Sequence, residues 1–123
     1  MDIRSHRELK VWRRAIALVV LVYRITADFP RSETYGITSQ LRRASVSVPA
    51  NIAEGNARAT RKEYAHFVSI ARGSLLEAET LLLVSQQLGY IDHATANPVL
   101  QEIDELSRML WTMHSKLTSS VKH

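Results

Sequence analysis

Apolar residues recur every third or fourth position along four long stretches of the chain, and nowhere do they alternate as in a half-buried strand. The first stretch predicts a helix over about 9–28. Leu9, Trp12, Ile16, Val19 and Tyr23 form one apolar stripe, and Val11, Ala15, Leu18, Val22 and Ile25 form a second, rotated from it. A domain of this size offers one core, so a helix with two apolar faces must bury one of them against another molecule. Self-association is the expectation. Phe29-Pro30 closes the helix, because the residue before proline is pushed out of the α region.

The second stretch, about 36–55, places Ile37, Leu41, Ala44, Val48 and Ile52 on one side and a polar stripe of Gln40, Arg43, Ser47, Asn51 and Glu54 on another, with Gly55-Asn56 as the expected stop. The third, about 60–88, opens on Thr60-Arg61-Lys62-Glu63, a capping box. Its stripe reads Tyr64, Phe67, Ala71, Ser74, Ala78, Leu81, Ser85, Leu88, flanked by Val68, Leu75 and Leu82, and Gly89 ends it. The fourth, about 97–118, starts at the cap-like Asn97-Pro98 and carries Leu100, Ile103, Leu106, Leu110, Met113 and Leu117. Four helices with short connections predict a single all-α domain over 1–123, an antiparallel up-down-up-down four-helix bundle.

Charge refines this picture. The net charge of +4 is unevenly spread: residues 1–62 hold twelve Lys/Arg against five Asp/Glu, and residues 63–123 hold four against seven. Such asymmetry points to an anionic partner or to association between unlike faces. Glu77, Glu79, Glu102, Asp104 and Glu105 would repel phosphate, so a binding face is expected on the first two helices. The absence of cysteine excludes disulfides and thiolate metal sites and fits a reducing cytoplasm. Arg13-Arg14 before the apolar run 15–22 imitates a signal peptide, yet Tyr23-Arg24 closes the run and no small-x-small cleavage site follows. A buried helix, with no membrane contact, accounts for it better.

Candidate catalytic chemistry is sparse. Glu63-Tyr64-Ala65-His66 is half of a di-iron helix motif, but no second copy exists and Glu63 already serves the cap, so no metal or cofactor is expected. Arg61 to His66 and Arg108 to His114 fit the arginine-to-histidine spacing of HEPN ribonucleases. With twelve arginines, five histidines and three permitted spacings, about 1.5 such pairs arise by chance, so two carry almost no information. Trp12 and Trp111 fall on or beside apolar stripes and are expected in the core.

The cations carry the functional signal. Arg13 and Arg14 open the first helix, while Arg42, Arg43, Arg58, Arg61 and Lys62 flank the second and third near their connecting loop. Arginine forks suit phosphate, and clustered cations gain affinity by releasing counterions. With no recognition helix beside them, binding would follow the backbone without base readout. Pro49 is expected to kink the second helix, with the Ser45 or Ser47 hydroxyl offsetting the amide it lacks. Asn51, Glu54 and Arg58 then form a structural, ion-paired joint, Glu54 needing a cation where the helix dipole disfavours an anion.

Leu9-Lys10-Val11-Trp12, Phe29-Pro30, the run Tyr35 to Arg58, Ile70-Ala71-Arg72-Gly73-Ser74-Leu75 and Leu106-Ser107-Arg108-Met109-Leu110 together resemble the bacterial four-helix bundle family labelled 23S rRNA intervening-sequence protein. The chain is also similar to the accessory protein of diversity-generating retroelements. The resemblance implies a ring-like homo-oligomer, commonly a pentamer, with no catalytic activity, and RNA or DNA or a protein such as a reverse transcriptase as partner. The leading expectation is a non-enzymatic, nucleic-acid-binding bundle. The alternatives are a scaffold for an acidic protein and a HEPN-like ribonuclease.

Overall fold

A computed structural model describes residues 5–119, and the described chain is entirely helical. Four α-helices follow in order: α1 Lys10–Thr26, α2 Ile37–Asn56, α3 Arg61–Gln87 and α4 His93–Thr118, with short 3-10 turns at His6–Glu8 and Arg31–Glu33. Each helix packs on two neighbours in the cycle α1–α2–α3–α4–α1, and among the described residues the diagonal pairs do not bring their Cα atoms within 8 Å. The α2–α3 seam is the most extensive. Leu18, Leu41, Ile52, Leu75, Leu82, Ile103, Leu106 and Leu110 are fully buried along the axis, each stabilising by roughly 1.5–3 kcal/mol through removal from water.

The two stripes of α1 have separate fates. Val11, Ala15, Leu18 and Val22 enter the core, whereas Ile16, Val20 and Tyr23 stay exposed with Trp12 and Val19 half-buried beside them. In α3 the buried line runs through Val68, Ala71, Leu75, Ala78 and Leu82, so the expected seam is rotated: Val68, Leu75 and Leu82 are its centre and Leu88 lies outside.

Helix ends follow local chemistry. The Glu63 amide donates to the Thr60 hydroxyl at 3.1 Å, starting α3 as expected. At the far end Gly89 has φ of 78°, the Tyr90 amide donates to the Ser85 carbonyl at 2.9 Å and the Gly89 amide to that of Gln86 at 3.0 Å. These two bonds are the Schellman pattern, which needs a left-handed residue where glycine stands. α4 begins earlier than Asn97. The Asp92 carboxylate accepts from the Thr95 amide at 2.8 Å and sets the start at His93. The extra turn is kept because Ala96 and Val99 are buried, and Pro98 is carried inside the helix.

Two details of α2 differ from expectation, the role of Gly55 and the serine hydroxyls around Pro49. The helix ends at Asn56, within the expected Gly55-Asn56 pair, but Gly55 is buried inside the last turn and does not act as a left-handed cap. A methyl group there would lie 2.9 Å from the Phe67 Cβ and the Tyr64 Cδ1, and 3.2 Å from the Tyr64 carbonyl oxygen, so glycine is what lets α3 approach this closely. Pro49 is buried within a continuous helix. Neither serine hydroxyl replaces its missing amide. Ser45 donates to the Arg42 carbonyl at 2.8 Å, and Ser47 shares a 2.8 Å hydrogen bond with Ser74 of α3.

Candidate nucleic-acid interface

An up-down bundle brings the start of α1, the α2–α3 connection and the end of α4 to one end of the molecule. Arg61 fixes this juxtaposition by donating to the Lys116 carbonyl and, at 3.4 Å, to the Leu117 carbonyl in the last turn of α4. A cation at carbonyls that lack helical partners is favoured by both hydrogen bonding and the helix dipole. Arg61 is thus a cap on a neighbouring helix.

Beside it, Arg58, Thr60, Lys62, Glu63, His66 and Phe67 line an open groove. Arg58 forms an ion pair with Glu54 one turn back, and its guanidinium sits 4.7 Å above the Phe67 ring. Both partners are about half exposed, so the pair orients Arg58 more than it stabilises the fold. Lys62 is exposed and has no ion pair among the described residues. Asn51 turns the other way: its amide donates to the Ser47 carbonyl at 2.8 Å and to the Ser47 hydroxyl at 2.9 Å, a polar contact on the α3 side of α2. Asn51 and Glu54 therefore do not form one joint.

The remaining predicted cations divide. Arg13 is exposed at the same end and donates to the Arg7 carbonyl at 2.8 Å. Arg14 is taken up by α4: its Nε and terminal nitrogen donate to the two Glu102 oxygens at 3.0 and 2.8 Å, and it also pairs with Glu105. Donating to Glu102 and then to Glu105 raises the Arg14 pKa further, while accepting from Arg14 lowers that of Glu105. Arg14 is a helix clamp whose charge is already answered.

Arg42 and Arg43 lie elsewhere. Fifteen residues separate Arg43 from Arg58, which along a helix is about 22 Å. Arg42 donates to the Thr26 hydroxyl at 2.8 Å and stacks 4.5 Å above the Tyr23 ring, tying α2 to the end of α1. Arg43 borders a shallow groove that also holds Glu77. The run of cations seen in sequence is therefore two groups at opposite ends. The basic end also draws Lys62 from α3 and Lys116 from α4, so it is not confined to the first two helices.

Other chemistry finds no assembled site. Arg108 pairs with Asp104 at 2.6 Å and Arg61 caps α4, so neither arginine of the ribonuclease spacing is bonded to its histidine. Among the described residues no three His, Cys, Asp or Glu side chains converge to hold a metal, and no helix is long and apolar enough to cross a membrane. Trp111 corrects the core expectation: it is 58% exposed and lies 5.1 Å below the Arg72 guanidinium. Sequence reasoning missed this stack, the Arg14 clamp and a hydrogen bond from Tyr90 to Glu33. All three join residues too far apart for local spacing to show.

Residues 7–112 match the family described as 23S rRNA-intervening sequence protein. Among solved structures, the crystal structure of a protein of unknown function from the S23 ribosomal protein family of Bacteroides thetaiotaomicron superposes with a TM-score of 0.77. It is 19% identical, and the match covers 85% of this chain and 97% of that one, which supports the same fold. No curated protein matches the chain significantly.

Proposed function

The chain belongs to the 23S rRNA-intervening sequence protein family, and from that premise we propose a non-enzymatic, self-assembling helical bundle whose basic end engages the phosphate backbone of RNA or DNA in the cytoplasm. The observation that carries this reading is the convergence of Arg13, Arg58, Lys62 and Lys116, all exposed, on one end of the bundle. Glu8, Glu54 and Glu63 temper that charge without matching it.

The groove at Arg58 and Lys62 has no recognition helix, so contacts are to phosphate. Phosphate contacts position a protein on nucleic acid but carry no sequence information. Affinity then comes from counterion release and falls steeply with salt. The self-assembly in this reading, for which the family resemblance implies a pentamer, would repeat the basic end around an axis and multiply weak contacts.

A filter-binding titration with a structured rRNA fragment at about 50 and 200 mM salt tests the proposal. Retention that weakens at least tenfold between the two supports it. Retention absent at low salt, or equal at both, overturns it and leaves an acidic protein as the occupant of the same cations.

A further inference from the structure

The cations of the basic end account for phosphate contacts, but not for the flat groups that stand among them. Gly55 lets α3 come close to α2, and the Tyr64 hydroxyl donates to Asn56 Oδ1 at 3.1 Å across the same seam. The first turns of α3 are thereby fixed. They present Phe67, half-buried, and His66, exposed, whose rings meet edge to face with centroids 5.5 Å apart. The Arg58 guanidinium lies over the Phe67 ring and is held there by its pair with Glu54, yet it stays 41% exposed. Two rings and a guanidinium thus border one open groove of about 630 Å³.

Two charged groups share that groove. Lys62, one turn before His66 on α3, has no ion pair among the described residues. The Glu63 amide serves Thr60, but the Glu63 carboxylate has no hydrogen bond or ion pair among the described residues.

A duplex has little use for this combination. The deep, narrow major groove of an A-form helix keeps its bases from side chains, and a free carboxylate repels its phosphates. An unpaired nucleotide uses every part. Splayed bases stack on aromatic rings and on guanidinium planes. The phosphate meets Lys62, and Glu63 accepts from a base N–H or a ribose hydroxyl. Stacking tolerates any base, because each has a π face, so no sequence is read.

We infer that this groove receives an unpaired nucleotide, its base on the platform of Arg58, Phe67 and His66, and that the protein selects single-stranded over paired nucleic acid. The inference rests on the nucleic-acid reading above and names the form of the ligand. Charge alone predicts the opposite order. Counterion release per contact is greater on a duplex, with salt slopes of about −0.9 per phosphate neutralised against about −0.7 on a single strand. The sign of the preference therefore separates stacking from simple phosphate binding.

The test is fluorescence anisotropy with one labelled RNA of about 20 nucleotides and no self-complementarity, alone and annealed to its complement, at about 150 mM salt. The unaltered chain should bind the single strand about five- to a hundredfold more tightly, the size of one base–ring stack. Arg58→Lys keeps the charge and removes the flat group, while His66→Ala and Phe67→Leu each remove a ring. Each should bring the ratio of the two affinities towards one. Arg58 and His66 are exposed, so their variants decide the matter if Phe67→Leu fails to give a helical circular-dichroism spectrum. A duplex bound as tightly as the single strand, or a ratio that Arg58→Lys and His66→Ala leave unaltered, overturns the inference and leaves phosphate binding standing. Binding of neither form overturns both.

Discussion

The two ends of the bundle are built from similar residues and put them to different use. At the α1–α2 turn, Glu33 accepts from the Ile37 amide at 3.1 Å and from the Tyr90 hydroxyl at 2.8 Å, and Tyr90 rests against Phe29 with ring centroids 5.7 Å apart. Arg42 at that end is held by Thr26 and Tyr23. At the other end Arg61 is held by α4, while Arg13, Arg58, Lys62 and Lys116 stay exposed, with Glu8, Glu54 and Glu63 as the acidic residues of that end and Glu105 in the groove that Lys116 borders. A side chain locked by neighbours positions helices. A charge without a full complement has capacity for a ligand. The first end closes the fold, and the second is where we place binding.

The largest expected effect is on packing at the basic end. Gly55→Ala gains up to about 1 kcal/mol in helix propensity but drives a methyl group into Phe67 and Tyr64, where overpacking costs about 1–3 kcal/mol. Net destabilisation, read as a lower thermal midpoint, is expected. An unchanged midpoint would mean that α2 and α3 separate freely here and that the groove is not preformed.

Charge removal comes next. Arg58→Ala with Lys62→Ala should weaken RNA retention about tenfold or more at low salt and reduce the salt slope by roughly two. Arg43→Ala, at the opposite end, should leave the slope within error. Equal losses from both would erase the difference between the ends.

The Glu33 joint predicts a pH signature. Bonds from the Ile37 amide and then from Tyr90 hold the Glu33 pKa below its usual range, and the bond to Glu33 raises the Tyr90 pKa. A lowered carboxyl stabilises above its unfolded value and loses that contribution as pH falls through the folded one. A raised tyrosine stabilises below about 10 and loses its contribution as pH rises through the folded value. Glu33→Gln should therefore flatten the melting profile on the acid side, and Tyr90→Phe on the alkaline side. A profile that either variant leaves unaltered would show that the joint does not hold the two turns together.

The smallest effect is at Glu54. An exposed pair one turn apart is worth about 0.3–0.5 kcal/mol, so Glu54→Ala should barely move the melting midpoint while freeing Arg58 and modestly tightening RNA retention. A large loss of stability would instead make the pair structural, as its place near a helix C-terminus led us to expect.

Much of this architecture was legible in the chain before any contact was known. The 3.6-residue recurrence of apolar positions located four helices, because a helix buries one stripe and leaves a period behind. Thr60 and Gly89 marked ends of α3, because capping depends on residues within a few positions of each other. The cations could be counted, but not assigned. Arg14 and Glu102 are 88 residues apart and Arg72 and Trp111 are 39, so only the packed bundle shows that the first pair is satisfied and that the second faces outward. Two equally apolar stripes on α1 carried no local mark of which would meet the core. Tertiary packing chose between them, because burial is settled by what stands opposite a side chain, and sequence spacing reports only what stands beside it.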